Sequence, residues 1–217
     1  MDSIRNAKQT VVLVAMLGVF SSAVAQERFY GGAGIGMTKT PISQNALSIT
    51  GATASTLSRN DIGTGGKLFG GYQANPNFAV EAGYVDLGKI SATRNMTSPS
   101  VGSVAQSTRN TGWFVDLVGS MPIGASEFSV IGKVGRIASD TSKSLAFGGT
   151  VTPVAGAAST YRDSESNWKY GAGAQYEISK TMAARGEFEL YRKLGREGSA
   201  GENEVGLFSV NLLIKFH

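Results

Sequence analysis

Chemistry in a protein starts from groups that can move a proton, hold a metal or carry an anion, and in this 217-residue chain such groups are few. Histidine occurs once, as His217, and cysteine does not occur. Acyl transfer by a serine, a histidine and a carboxylate needs a base placed to deprotonate the hydroxyl, and one terminal histidine does not provide it. Metal sites of the His or Cys type fail for the same reason. The carboxylates Asp163 and Glu165 read as solvated charge in a polar stretch. Gly32-Ala33-Gly34-Ile35-Gly36 has the look of a phosphate-binding loop. That fingerprint demands a further glycine where Met37 stands, and an acid about twenty residues on, near which lie Ala52 and Thr53. The expectation is no enzyme, no cofactor and no metal.

The charges instead alternate with apolar residues. Arg185, Glu187, Glu189 and Tyr191 share one parity, and Met182, Ala184, Phe188 and Leu190 the other. Near the carboxy terminus Phe208, Val210, Leu212, Ile214 and Phe216 oppose Ser209, Asn211 and Lys215. Trp168, Tyr170, Ala172, Ala174, Tyr176 and Ile178 oppose Lys169, Gln175 and Glu177. Period two marks strands with a different environment on each face. The pattern predicts an all-β chain of eight antiparallel strands near 27–39, 62–73, 78–90, 110–121, 127–139, 165–178, 181–194 and 203–216. Tight turns at 75–77, 122–125 and 179–180 alternate with long polar stretches at 40–61, 91–109 and 140–164 and a shorter one at 195–202. All the short turns then fall at one end of the sheet and all the long loops at the other, as in outer-membrane barrels.

The amino terminus fits export. Arg5 and Lys8 precede an apolar run from Thr10 to Phe20, and Ala23-Val24-Ala25 offers a cleavage site, so residues 1–25 are expected to be a signal peptide and 26–217 the barrel domain. The run is short of the roughly 20 residues that a membrane-spanning helix needs. Cleavage would remove Arg5, Lys8 and Asp2 and leave a net charge of about +3, too diffuse to point to nucleic acid. Aromatics near strand ends, including Phe29, Tyr30, Tyr72, Phe78, Trp113, Trp168 and Tyr176, sit where interfacial girdles are expected. A soluble lipocalin-like barrel, with the apolar parity turned inward around a ligand, is the alternative.

The hairpin Phe69-Gly70-Gly71-Tyr72-Gln73-Ala74-Asn75-Pro76-Asn77, continuing through Val80-Glu81-Ala82-Gly83-Tyr84-Val85-Asp86-Leu87-Gly88, resembles the OmpA-like family of eight-stranded outer-membrane barrels. Tyr170-Gly171-Ala172-Gly173-Ala174-Gln175-Tyr176, Arg185-Gly186-Glu187-Phe188 and the ending Ile214-Lys215-Phe216-His217 add to the similarity. The resemblance implies a polar network inside the barrel that includes Glu81 and Arg185, with Gln175 standing where the family tends to carry an acid. It also implies insertion by the barrel-assembly machinery, for which Phe208 and Phe216 would be the signal, the family's aromatic end being penultimate here. The chain stops at its last strand, so no peptidoglycan-gripping domain is expected.

By parity the lumen is expected to hold Lys67, Glu81, Asp116, Lys133, Lys169, Arg185, Glu187, Glu189 and Lys215, with glycines such as Gly71, Gly83 and Gly135 making room. Eight strands enclose a space that side chains can fill, so these charges are expected to cross-link as a plug, a small gated channel being the alternative. Outer-membrane lipid and lipopolysaccharide are the expected partners, with Arg94, Arg109 and Arg162 as contacts to phosphate and the loops as a surface for a ligand.

Overall fold

In a computed structural model, residues 28–41, 54–98, 101–149, 160–194 and 203–216 are described. They form nine strands: β1 (Phe29–Lys39), β2 (Ala54–Asn60), β3 (Ile62–Asn75), β4 (Phe78–Ser98), β5 (Gly102–Pro122), β6 (Phe128–Gly149), β7 (Thr160–Glu177), β8 (Met182–Leu194) and β9 (Asn203–Phe216). β2 and β3 pair in succession with β4 and are separated only by Asp61, whose carbonyl accepts from the Thr40 N–H at 3.0 Å, so together they make one stave. Each stave pairs antiparallel with its neighbours in the chain, and β1 closes the ring by pairing with both β3 and β9. The result is an eight-stave barrel, closed among the described residues by the ladders of β1 with β3 and β9. Lipid requires this, because unpaired backbone groups there cost several kcal/mol each.

Asparagine and serine set the tight turns. Asn75 Oδ1 accepts from the N–H groups of Asn77 and Phe78, both at 2.9 Å, and Ser179 Oγ accepts from those of Thr181 and Met182 at 3.2 and 3.1 Å. These side chains do locally what a turn needs, pinning the backbone two or three residues ahead.

The opposite end differs from the sequence expectation. Of the stretches predicted as loops, 91–98 continues β4, 102–109 begins β5, 140–149 extends β6, 160–164 starts β7 and 54–60 is β2. β5 and β6 reach 21 and 22 residues, where about 9 to 11 cross a bilayer. Beyond the membrane the outer face no longer needs apolar side chains, so Ser, Thr and Asn occur on both parities, although Ala92, Met96, Val104 and Thr141 on the inward parity stay buried. The signal of alternation disappears while the hydrogen-bonded ladder runs on. The cleavage site after Ala25 lies outside the described residues.

Orientation follows the pairing. Phe188, Phe208, Leu212 and Phe216 are exposed on the outer face, whereas Arg185, Glu187, Glu189 and Asn211 are at most 4% exposed. This is the reverse of a lipocalin-like interior. Outward rings pair across strands, Phe29 with Tyr72 at 5.0 Å and Phe128 with Tyr176 at 4.7 Å near the turn end, and Tyr84 with Trp113 at 5.2 Å nearer the loop end. Tyr30 is a correction to the expected girdle. It shares the parity of Gly32 and Gly34, and its ring is buried inside the barrel.

Among the irregularities of the wall is a register shift between Asp86 and Lys89 where β4 pairs with β5. Gly88 sits in it with φ +76, and a Cβ there would lie 2.2 Å from the Thr64 carbonyl oxygen. Gly88→Ala should therefore lower the stability of the folded barrel by more than about 1 kcal/mol, since a side chain is disfavoured at such a φ even before the clash. Urea unfolding in lipid vesicles measures this, and an unchanged midpoint would contradict it.

Candidate functional site

The inward parity of the staves converges on a core of eight charged groups. Lys67 comes from β3, Glu81 from β4, Asp116 from β5, Lys133 from β6, Lys169 from β7, and Arg185, Glu187 and Glu189 from β8; all are between 0 and 7% exposed. Four are cations and four anions. Burial of an unpaired ion costs several kcal/mol, so the arrangement is stable only if each finds partners.

Each cation touches two carboxylates. Lys133 Nζ lies 2.6 Å from both Glu81 Oε2 and Glu187 Oε1. Lys169 Nζ is 2.7 Å from Asp116 Oδ2 and 2.9 Å from Glu189 Oε1. Arg185 Nη1 lies 2.5 Å from Glu81 Oε1 and 3.3 Å from Glu187 Oε1. Lys67 pairs with Glu187 and, at 2.9 Å, with Glu189. The eight groups thus form one connected network. The two remaining staves join it through neutral side chains. Tyr30 of β1 donates to Glu81 Oε1 at 2.7 Å, and Asn211 Nδ2 of β9 donates to Glu187 Oε2 at 3.2 Å. Tyr191 donates to Glu189 at 3.1 Å.

Small residues and rings shape the space around these ions. Gly135 lies opposite both Asp116 and Lys169, and a Cβ there would sit 2.1 Å from Asp116 Oδ1. The Phe69 ring has Lys133, Lys67 and Arg185 at 5.3, 5.6 and 5.8 Å, and Lys169 stands 4.0 Å from the Phe114 ring. Such contacts favour a cation over an aromatic face. Beyond the ions toward the loop end the interior is apolar, with Val85, Leu87, Ile137, Leu194, Val205 and Leu207 at 2% exposure or less.

Toward the turn end the polarity continues but opens. Arg185 Nε donates to Gln175 Oε1 at 2.8 Å, Gln175 Nε2 donates to Glu177 Oε1 at 2.7 Å, and Glu177 pairs with Lys215 at 2.6 Å. Gln175 is therefore a neutral bridge between the buried ions and a part-exposed pair. The vestibule here, lined by Tyr30, Gln73, Val118, Gln175, Arg185 and Lys215 among others, has a volume of about 30 Å³, room for one or two waters.

Beyond the residues named for the lumen from the sequence, Tyr30, Tyr191, Asn211 and Ser209 are bonded into the network or its edge. Parity pointed to the last three. Tyr30 could have been found from its alternation with the glycines of β1.

On the outer face, Arg109 bridges to Asp86, and Arg109 and Arg162 flank Ser142 in one cross-strand row. Arg94 does not join them. It lies on the inward parity of β4 with Ile90, Ala92 and Met96, where its Nη1 donates to Ser55 Oγ at 3.0 Å. Phe208 and Phe216 both face outward, each 57% exposed, and His217 lies outside the described residues.

The profile of the OmpA-like transmembrane domain matches residues 24–217. Among solved structures, Neisserial surface protein A is similar with a TM-score of 0.54 at 10% identity, covering 87% of this chain and 97% of that one. The outer membrane protein OprG from Pseudomonas aeruginosa is similar with a TM-score of 0.51 at 12% identity, covering 88% and 96%. No curated protein matches the sequence.

Glu187 is the busiest acceptor in the network, so Glu187→Gln should destabilise the barrel by about 3–5 kcal/mol, the range for removing one partner of a buried pair. Adding Lys67→Met restores charge balance and should recover at least about 1 kcal/mol relative to the sum of the two single effects. Unfolding midpoints of the four proteins in one double-mutant cycle decide it; strict additivity would contradict the shared network.

Proposed function

We propose, from the premise that this chain belongs to the OmpA-like transmembrane domain family, that it is a non-catalytic integral protein of the bacterial outer membrane whose lumen is a sealed ionic plug. Its role is then at the envelope itself, stiffening the membrane and presenting a projecting sheet to partners above it. The observation that carries this reading is the connected network in which every buried cation holds two carboxylates. An ion entering that layer would have to displace a partner already in contact, and the apolar layer above offers it nothing in exchange.

The lone histidine supports the non-catalytic part, since the surface acyl chemistry known for barrels of this size needs that base away from the chain terminus. Export through a signal peptide of residues 1–25, and insertion by the barrel-assembly machinery through the outward Phe208 and Phe216, complete the reading. The projecting strands β4 to β7 supply the surface for a ligand.

A low-conductance channel is the second reading. The vestibule and the Lys215–Glu177 pair, whose side chains are 27 and 24% exposed, favour it, because water already reaches the turn end of the lumen. Planar-bilayer recordings of the purified protein separate the two. The sealed barrel predicts no reproducible current steps, whereas ion-selective steps abolished by Arg185→Ala would establish the channel.

A further inference from the structure

The sheet that projects above the membrane ends in a rim that the ladders define. β7 pairs with β6 from Thr160 to Tyr176 without a register shift, but with β8 only from Lys169 to Glu177, where Lys169 faces Tyr191. On the β8 side, residues 160–167 therefore have no strand partner among the described residues. Which backbone groups this leaves open follows from the alternation of a ladder, in which the N–H and C=O of successive residues turn to opposite neighbours. The Glu177 N–H donates to the Glu127 carbonyl on the β6 side at 3.0 Å, and the Ile178 N–H to the Met182 carbonyl on the β8 side at 2.9 Å. Odd-numbered residues of β7 are thus turned to β6, and the Ser139 hydroxyl of β6 reaches the Glu165 carbonyl at 3.2 Å accordingly. Arg162, Ser164 and Ser166 are turned to the open side, where the Ser166 carbonyl accepts from the Arg136 guanidinium at 3.0 Å.

An unpaired strand edge is a template for another strand, and the side chains beside it decide which strand is accepted. Here Arg162, Ser164 and Ser166 are exposed on the outer face, while Asp163 and Glu165, which the sequence suggested as solvated charge, are half-buried on the inward parity. Among the described residues no cation lies within ion-pair distance of either carboxylate; Lys143, on the same face of β6, stands opposite Tyr161. In an antiparallel pair the residues directly opposite share a face, so two copies of this edge paired about its middle would set Asp163 and Glu165 against themselves. Like charges so placed are destabilising. A segment with lysine or arginine at alternate positions instead sets a cation opposite each acid.

We propose that the open edge of β7 at 160–167 takes up an extended basic segment of a partner protein as an added strand. The segment runs antiparallel to β7, as β8 does lower in the same slot, exchanging backbone hydrogen bonds with Arg162 and Ser164 and turning its cations inward to Asp163 and Glu165. This rests on the outer-membrane reading above, which sets the edge in water, and names the kind of partner that the projecting sheet receives.

The test titrates the full protein in zwitterionic detergent micelles against a fluorescent eight-residue peptide of alternating lysine and threonine, read by anisotropy. With the lysines inward the threonine amides face β7, so the same peptide N-methylated at its threonines should bind at least tenfold more weakly, as should a peptide of alternating glutamate and threonine. Ser164→Pro removes an N–H from the open edge and none from the β6 ladder, and should weaken the lysine peptide at least tenfold. Asp163→Asn with Glu165→Gln should weaken it by a similar factor and abolish its advantage over the glutamate peptide, and Lys180→Gln at the turn end should change nothing. Heat-shifted gel mobility verifies that each variant is folded before it is compared. Equal binding of the methylated peptide, a Ser164→Pro protein that binds like the wild type, or no saturable binding of the lysine peptide up to about 1 mM would overturn the proposal. Dimers of the protein that Ser164→Pro dissolves would put a second copy on the edge and overturn it as well. Current steps in a planar bilayer would instead overturn the sealed lumen and leave this edge standing.

Discussion

Neutralising charge in a space that excludes water is the constraint from which the rest of this barrel follows. Four cations and four carboxylates lie at 0 to 7% exposure inside the ring, and none is tolerable there alone. Because the partners come from six staves, with Tyr30 and Asn211 tying in the other two, the network specifies the closed register and not merely the presence of a barrel. A slip of one residue on any stave would turn its charge to lipid and leave its partners uncompensated. Glycine opposite the ions, as at Gly135, provides the room that such long side chains need in an eight-stave lumen.

Strand alternation serves two environments at once. On β8 the residues between the lumenal Arg185, Glu187 and Glu189 are Gly186 and Phe188, facing out. On β6, Lys133 turns inward to the network while Arg136, three residues on, turns outward beside Trp168. The same strand therefore seals the interior and furnishes the membrane-facing surface. Beyond the membrane the requirement for an apolar side lapses, and β4 to β7 continue as a sheet with polar residues on the outer face.

The sequence made the transmembrane part legible because lipid on one side and buried ions on the other impose opposite chemistries on alternate residues. Arg185, Glu187 and Glu189 could be assigned to one face on that ground alone, as could Phe208, Leu212 and Phe216 to the other. Where the outer face leaves lipid and turns polar, as in 91–98 and 140–149, polar residues fall on both parities, the alternation fades and strands read as loops. Tyr30 misled for a different reason. An aromatic near a strand end suits a membrane interface and a buried hydrogen bond equally well, and only its partner, Glu81, distinguishes them. The apolar layer of Leu87, Ile137 and Leu207 above the ions was also hidden, since apolar residues on both parities look like a lapse in alternation.

The absence of native cysteine permits a direct measurement on the sealed interior. Ser209, 1% exposed beside Asn211, lies at the edge of the ionic layer, whereas Gln73 lines the vestibule at the turn end. With single cysteines introduced as Ser209→Cys and Gln73→Cys, a small water-soluble thiol reagent should label position 73 in the folded protein and leave position 209 unlabelled from either side of the membrane. Rapid labelling at 209 in folded protein would show that water and solutes pass the ionic layer, and would contradict the sealed barrel.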